Sequence, residues 1–477
     1  MSTHPLEEIL HPQSIAVVGA SGDSGSRWRG DFVTPLLELG FKGKIYPVNP
    51  KYPEIHGLKA YPSIRDIPGP VDYVISSVPA RQVLTILEDC SYKRVKAAHL
   101  FTARFSETGR QEAAELEREV LKQARKGDIR LIGPNCMGVY YPRHGISWSE
   151  GLPKESGGAG LASQSGNVAG DIVQIASLRG VYFSKAISYG NALDLTESDF
   201  LDYLSQDQET KIIMMYIEGV KDGRRFFDTL RRTTRIKPVI ITKGGRGESG
   251  TRAVTSHTAS LAGSMKIWDT AIAQAGAIPA ENFEEMIDLA TAFNFLPPIR
   301  GRRVGVVGGG GGAGVLSADQ CEEAGLDVIP LPTEIREELR RQGNSIWDWI
   351  GNPTDSSISG ETAFSAGDML QMMDRNQNFD ILIGIMGEGT PAGKEAILAR
   401  RRGDVKSYVK VKKKISKPLL VMVEEKSLGT KDYNNWRWRV MSEARAKLIA
   451  SGIPTYPTMA RTASTARKLV EYYQRRK

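Results

Sequence analysis

The chain alternates short, β-branched apolar runs with segments of helical hydrophobic period. In its first block the apolar runs begin at Ser14, Lys44, Val71, Lys96 and Ile129. Helix-type segments such as 81–87 and 106–126 lie between them. Successive strands separated by helices must pair in parallel, because each connection has to cross a face of the sheet. This pattern predicts an α/β fold with helices covering parallel sheets.

The alternation continues in two further blocks. A second block begins near Gly157, with predicted strands at 158–163, 182–188, 211–217 and 238–242. The paired prolines within 295–301 forbid helix and predict a linker. A third block has predicted strands at 303–307, 327–329, 380–385 and 418–423, and a last helix over 462–476. We therefore expect three consecutive domains, at residues 1–145, 146–296 and 297–477.

Cysteine usage and hydropathy favour a cytoplasmic protein. The chain of 477 residues has only Cys90, Cys136 and Cys321, which cannot form a disulfide framework and match no zinc spacing. The N-terminus lacks the basic and apolar regions of a signal peptide. Since no run approaches 18 consecutive strongly apolar residues, we expect no membrane span.

The net charge of +8 raises the question of nucleic acid. The most basic stretch runs from Arg400 to Lys417 and contains a single acid, Asp404. Its only aromatic residue is Tyr408, so a solvated helix face explains it better than a nucleic-acid footprint, in which several aromatic residues would be interleaved. A basic protein that handles phosphorylated small molecules would show the same balance.

Glycines follow the first strand, in the segment from Gly19 to Gly25. Glycine between a strand and a helix lets backbone N–H groups and the helix dipole meet a phosphate, although a tight turn without a ligand would look similar. No acid follows the second strand, where the ribose hydroxyls of a dinucleotide would need one. Lys42, Lys44 and Lys51 surround that point instead. A basic rim suits a ligand with an extra ribose phosphate, as in coenzyme A or NADP.

Three further turns lie where open α/β sheets bind ligands. Gly133-Pro-Asn-Cys136 closes the first block; no histidine is near it in sequence, so Cys136 is expected to line a pocket rather than to be a nucleophile. Ser165, Gly166 and Asn167 begin a predicted helix, and the glycines from 309 to 314 begin another. Each helix start offers N–H donors to an anion, and we take Gly310, Gly311 and Gly312 as candidates for a second phosphate site.

His257 stands among small hydroxyl residues in the loop 255–263, just before a predicted helix. A lone histidine is commonly structural, but these small neighbours leave the ring open to a large partner. No Cys or second His provides metal-ligand spacing, so no metal site is predicted. Glu218 ends a predicted strand of the same sheet. Because parallel strand ends gather at one edge, the carboxylate can reach and orient the imidazole.

Together these motifs, with Asn352-Pro-Thr-Asp355, resemble the α subunit of NDP-forming acyl-CoA synthetases. That family includes succinyl-CoA synthetase and, more similar to this chain, the ADP-forming acetyl-CoA synthetases. The resemblance covers nearly the whole chain. It implies a Rossmann-like CoA-binding domain followed by two flavodoxin-like parallel-sheet domains.

The resemblance also implies an activity. A carboxylic acid, CoA and ATP are converted reversibly to acyl-CoA, ADP and phosphate, through an acyl phosphate and a phosphohistidine. His257 matches the phosphohistidine and Glu218 the acid that orients it. Ser165, Gly166 and Asn167 match the helix terminus that holds the phosphate. The residues matched to CoA contacts are Ser21, Gly22, Asp23, Ser24, Gly25, Lys51, Val78, Pro79, Phe101, Thr102, Ala103, Asn135 and Cys136.

In this family ATP/ADP and Mg²⁺ bind to an ATP-grasp β subunit, which we expect as a partner in an α2β2 assembly. The segment 167–171 lacks the tyrosine that succinyl-CoA synthetases place near their substrate, so the carboxylic acid stays open. The pairs Trp347/Trp349 and Trp436/Trp438 have no assigned role. Two alternatives remain: a non-catalytic CoA or acyl-CoA sensor of the same fold, and an NADP-dependent oxidoreductase.

Overall fold

The computed structural model describes residues 4–22, 31–252, 264–355, 365–387, 393–425 and 434–476. The chain divides into two compact units. The first comprises Met1–Ser177 with Val181–Met286, and the second Leu178–Gly180 with Ile287–Lys477. The expected α/β class is confirmed, whereas the boundaries near 145 and 296 remain a proposal.

The first sheet has five parallel strands in the order β2-β1-β5-β6-β7. Its strands, with the short hairpin β3–β4, are β1 (Ser14–Val18), β2 (Lys44–Val48), β3 (Glu54–Ile55), β4 (Leu58–Lys59), β5 (Tyr73–Ser76), β6 (Ala97–Leu100) and β7 (Arg130–Ile132). The helices of this region are α1 (Pro5–Leu10), α2 (Val33–Leu39), α3 (Val83–Lys93) and α4 (Gln111–Lys126). The strand order reverses between β1 and β5, which makes the crevice at their carboxyl ends the expected ligand site.

Local sequence accounts for these elements. All five residues of β1 are buried, as in a strand covered on both faces. Helix α2 ends at Leu39 because Gly40 takes left-handed backbone, with φ of 80°, and its N–H bonds to the carbonyls of Leu36 and Leu37. The core between this sheet and its helices is mostly aliphatic, with Val74, Leu87 and others fully buried.

The second sheet has six strands in the order β13-β12-β11-β9-β10-β8. Its strands are β8 (Gly138–Tyr140), β9 (Ala159–Ser163), β10 (Phe183–Ser188), β11 (Ile212–Ile217), β12 (Val239–Lys243) and β13 (Ile278–Ala280). The helices here are α5 (Gly166–Ser177), α6 (Glu197–Gln206), α7 (Gly223–Thr233), α8 (Met265–Ala275) and α9 (Phe283–Phe295). Here the order reverses between β9 and β11, so a second crevice opens at the carboxyl ends of these two strands.

Strand β8 was not anticipated from the sequence. It pairs antiparallel with β10, with Tyr140 opposite Ala186 and Gly138 opposite Ser188. The chain therefore leaves the first sheet at Ile132 and enters the second at Gly138. The Gly-Pro-Asn-Cys turn lies between them and is anchored in a sheet at both ends.

The third sheet, in the second unit, has four parallel strands in the order β14-β15-β16-β17. They are β14 (Val304–Gly308), β15 (Ile381–Met386), β16 (Leu419–Val423) and β17 (Thr455–Tyr456). Its helices are α10 (Gly311–Glu323), α11 (Thr333–Arg341), α12 (Ala366–Arg375), α13 (Lys394–Lys412), α14 (Trp436–Ala450) and α15 (Met459–Gln474). None of the helices in the described ranges is both long and apolar enough to cross a bilayer.

The strand expected at 327–329 is wrong. Only Asp327 bridges, to Arg303, and the run continues without strand pairing. Pro330 and Pro332 follow immediately and cannot donate to a ladder, so the segment is too short to become a strand.

Candidate functional site

A cavity of about 710 Å³ is lined by loops that follow strands of both sheets in the first unit. The first sheet contributes residues 77–80 after β5, 101–104 after β6 and 135–137 after β7. The second sheet contributes residues 164–167 after β9, and Gly190 after β10. The carboxyl ends of parallel strands from two sheets therefore share one ligand-sized space.

Ten residues singled out from the sequence line this cavity. They are Val78, Pro79, Phe101, Thr102, Ala103, Asn135, Cys136, Ser165, Gly166 and Asn167. The sequence assigned the first seven to CoA and the last three to phosphate, in two separate domains. Their meeting in one space is a structural finding, while the role of each residue remains a prediction.

Other predicted residues lie away from this cavity. Ser21 and Gly22 follow β1, and Lys51 is exposed after β2. Asn49 joins these two loops, because its Nδ2 donates to the Ala20 carbonyl at 2.7 Å and its Oδ1 accepts the Lys51 N–H at 2.9 Å. Gly310 to Gly312 start α10 in the second unit. Asp23, Ser24, Gly25 and His257 lie outside the described residues.

The backbone of the Gly-Pro-Asn-Cys turn restricts which residue types can occupy it. Gly133 has φ of 104°, and a Cβ there would lie 2.8 Å from the Leu100 carbonyl oxygen. Asn135 has φ of 59°, in the left-handed region that asparagine tolerates, and its N–H donates to the Thr102 carbonyl at 2.9 Å. Thr102 in turn donates its hydroxyl to the Val78 carbonyl at 2.7 Å. The three loops of the first sheet are thus bonded in series along the cavity.

Cys136 behaves as a wall residue. It is buried, its Sγ lies 3.8 Å from the Leu100 carbonyl oxygen, and burial raises the pKa of its thiol well above the usual range. A neutral thiol is a poor nucleophile, which agrees with the expectation that Cys136 lines a pocket.

His99 contacts the turn, although it was not among the residues predicted from the sequence. It is buried in β6, and its Nε2–H donates to the Cys136 carbonyl at 2.9 Å. Burial lowers the pKa of His99 to about 4, so the ring is neutral. A Cβ at Gly138 would lie 2.5 Å from this ring, so the glycine makes room for it. The signal in the sequence was a histidine within the apolar run Ala97–Leu100.

Asn191 supports the same turn from the second sheet. Its N–H donates to the Pro134 carbonyl at 3.0 Å, and its Nδ2 donates to Glu107 Oε2 at 2.7 Å. Leu193 also donates its N–H to the Gly133 carbonyl, at 3.0 Å. Nothing in the local sequence indicated this role, because the partners are more than 50 positions away.

Glu218 follows β11, at the strand end where the sequence placed it. It is buried, and the Gln164 side-chain oxygen accepts its N–H and that of Gly219, the latter at 2.8 Å. Lys243, at the end of β12, donates its ammonium to the Glu218 carbonyl at 2.7 Å. The backbone that carries the candidate orienting acid is therefore held from both neighbouring strands.

The charges around Glu218 are partly shielded from water. Burial lowers the pKa of Lys243, and the Glu218 carboxylate opposes that change. Burial raises the pKa of Tyr216, and the nearby Glu218 adds to it. The Glu218 carboxylate thus interacts electrostatically with both side chains, in partly buried surroundings that strengthen such interactions.

Gly19 lets the loop after β1 approach the loop after β5. Gly19, at the end of β1, has φ of 88°, and a Cβ there would lie 2.8 Å from Ser77 Oγ. Glycine thus lets the β1 loop pass next to the β5 loop at the point where the strand order reverses.

In the cavity, Ser165 to Asn167 present the start of α5, whose N–H groups favour an anion. Within the described ranges, no three His, Cys, Asp or Glu side chains come together as a metal site.

Family models match two regions of the chain. Residues 13–142 match a CoA binding domain, and residues 156–293 match a succinyl-CoA ligase like flavodoxin domain. The first range contains the first sheet and strand β8, and the second range contains the other strands of the second sheet.

Individual proteins are similar over longer ranges. The chain is 37% identical over 468 residues to the ADP-forming acetate–CoA ligase II subunit alpha of Pyrococcus furiosus, covering 98% of this chain and 97% of that protein. It is 40% identical over 339 residues to the ADP-forming acetate–CoA ligase of Methanocaldococcus jannaschii, covering 71% of this chain and about half (47%) of that protein.

The fold is similar to that of the dinucleotide forming acetyl-coenzyme A synthetase 1 of Ca. Korarchaeum cryptofilum, solved in complex with phosphate and ADP. The TM-score is 0.81 at 33% identity, covering 99% of this chain and 97% of that one.

Proposed function

The chain belongs to the family of ADP-forming acetate–CoA ligases, and from this premise we propose that it is the CoA-binding, phosphohistidine-bearing subunit of an acyl-CoA synthetase. Its reaction converts a carboxylic acid, CoA and ATP to acyl-CoA, ADP and phosphate, and is reversible. The family favours CoA over NADP as the ligand of the first domain.

One observation carries this proposal: the shared cavity. A thioester-forming enzyme must bring the CoA thiol to a phosphorylated intermediate. Here the loops matched to CoA and the helix start matched to phosphate line the same cavity of about 710 Å³. The N–H groups at Gly166 and Asn167 can stabilise phosphoryl oxygens without rearranging, because a helix start is a fixed dipole.

In this proposal His257 carries the phosphoryl group and Glu218 orients its ring. A neutral imidazole nitrogen attacks the terminal phosphorus of ATP, whose bond to the bridging oxygen breaks so that ADP leaves. The Glu218 carboxylate holds the other N–H of the ring and stabilises the charge that develops there. To orient the ring, Glu218 must itself be held in place. Its buried backbone is fixed by hydrogen bonds with the side chains of Gln164 and Lys243.

The remaining parts of the reaction are assigned to a partner. An ATP-grasp β subunit would bind ATP or ADP with Mg²⁺, in an α2β2 assembly in the cytoplasm. The name of the Pyrococcus furiosus relative, a subunit alpha, supports a second subunit. The start of α10 at Gly310 to Gly312 would provide a second phosphate site on this chain.

The test is phosphoryl transfer from labelled ATP, with the partner subunit present. We expect an acid-labile, base-stable label that is absent in His257→Ala, while CoA binding survives. Glu218→Gln should label about 10- to 100-fold more slowly, because a hydrogen bond to a charged group contributes about 1.5–3 kcal/mol.

The double variant should likewise carry no label, since both residues act on one step. Wild-type labelling in His257→Ala would refute the phosphohistidine assignment. A wild-type chain that binds CoA but never labels would favour the sensor alternative.

A further inference from the structure

A second cavity, of about 260 Å³, lies between helices α13 and α14 of the second unit. Four cations line it: Arg401, Arg402 and Lys406 from α13, and Lys447 from α14. Glu443 is its one lining acid among the described residues. The basic stretch that the sequence showed near residue 400 is therefore not only a solvated face, because part of it lines a cavity that is partly open to solvent.

Arg401 is the unusual member of this set. Its side chain is only 6% exposed, and its Nη1 donates to Asp404 Oδ2 at 2.6 Å. Its Nε is also buried and finds no acceptor among the residues the structure describes. A buried donor without a partner costs about 1–3 kcal/mol, and buried polar groups in native proteins are nearly always satisfied. Arg401 thus lines the cavity with a buried cation whose Nε–H has no acceptor among the described residues.

The other walls are apolar. Leu398 and Val405 of α13 face the cavity together with Val440 and Ala444 of α14. Bare phosphate or sulfate would leave these side chains uncovered, whereas a ring or short aliphatic chain would bury them. A cavity of about 150 Å³ already accommodates benzene, so 260 Å³ has room for such a body and a charged head.

We propose that the cavity between α13 and α14 binds a small organic anion, with a carboxylate or phosphate head held by Arg401, Arg402 and Lys447 and an apolar body against Leu398 and Val440. Planar guanidinium groups suit both head groups, because each can bind two oxygens at once. This site lies within the second unit and does not use the cavity of the first. The inference therefore stands whether or not the phosphohistidine proposal holds.

The test is calorimetric titration of the full chain with three probes: benzoate, phenylphosphate and inorganic phosphate. We expect one of the two aromatic probes to bind at least tenfold more tightly than inorganic phosphate, and the preferred probe identifies the head group. Lys447→Met and Arg402→Met should each weaken it about tenfold or more, since each removes a charge-assisted hydrogen bond. Lys410→Met is the matched control, because Lys410 is exposed on α13 and does not line the cavity.

Arg401→Met should abolish this binding, with urea unfolding as the check that the variant folds. If it does not fold, the two exposed-residue variants decide. The proposal is overturned if neither aromatic probe binds the wild type at millimolar concentration. It is equally overturned if Lys447→Met and Arg402→Met bind like Lys410→Met, because the measured binding would then lie elsewhere on the chain.

Discussion

The side-chain oxygen of Gln164 accepts the backbone N–H of Gly219 at 2.8 Å. Gln164 lines the large cavity after β9, and Gly219 follows the candidate orienting acid after β11. The two strands that flank the reversal of strand order are thereby joined beyond their last ladder bond. The position of the Glu218 backbone depends on a residue of the cavity wall.

Gln164→Ala removes this acceptor and leaves two buried N–H groups without one. We expect a loss of about 1–3 kcal/mol in the free energy of unfolding. We also expect slower labelling from ATP, because the Glu218 backbone loses a support. Urea denaturation and labelling with the partner present measure both. Gln174→Ala, at an exposed position of α5, should change neither; equal behaviour of the two variants would contradict the role of Gln164.

Substitution by alanine should lower the stability of the protein at Gly190 and raise it at Gly170. Gly190 has φ of 53°, and a Cβ there would lie 2.2 Å from the Pro134 carbonyl oxygen. Left-handed backbone alone costs a non-glycine residue about 1–2 kcal/mol, so Gly190→Ala should destabilise by more than that and weaken CoA binding. Gly170 lies inside α5 with nothing within 4 Å of a Cβ, and Gly170→Ala should stabilise by about 0.5–1 kcal/mol. Thermal unfolding of both variants checks the signs.

The buried His99 makes stability depend on pH. Its folded pKa of about 4 lies below the ordinary value of 6.5, so the unfolded chain takes up the proton first. Stability is therefore complete above about pH 6.5 and falls as the pH drops toward 4, by roughly 2 kcal/mol at pH 5. His99→Gln should lose this part of the pH dependence, measured by urea unfolding at pH 7 and 5. Leu100→Ala, destabilised on the same strand without a titrating group, should keep it.

Lys51 is expected to meet a CoA phosphate, although it is exposed and away from the cavity. Lys51→Glu should raise the KM for CoA by about 10- to 100-fold, from about 1.5–3 kcal/mol for a contact to a charged group. Labelling from ATP should stay at the wild-type rate, because that step does not use CoA. Steady-state kinetics with varied CoA decide, and an unchanged KM would mean that Lys51 meets only solvent.

Much of this architecture could be predicted from local sequence. Strands such as Ser14–Val18 and helix starts such as Gly166 follow from apolar runs and from glycine or serine at turns. Gly133 and Asn135 were found for the same reason, since left-handed backbone restricts the residue type.

Contacts between distant segments could not be predicted in this way. Strand β8 is three residues long, and its pairing depends on β10, more than 40 positions later. His99 reads as one polar residue in an apolar run, and its partner, the Cys136 carbonyl, exists only in the fold. The Arg401 Nε–H without an acceptor is likewise invisible in a basic stretch, because the side chain is buried only in the folded protein.

The crossing of the chain from β7 to β8 has a consequence for exchanging parts between relatives. A chimera joined at residue 145 would carry the edge strand of the second sheet over with the first domain. Tyr140 would then face an Ala186 taken from the other parent, and the Gly-Pro-Asn-Cys turn would lie between unmatched neighbours. A junction before Arg130 would instead separate β7 from β6, the strand with which it pairs. The two sheets of the first unit therefore have to be exchanged together.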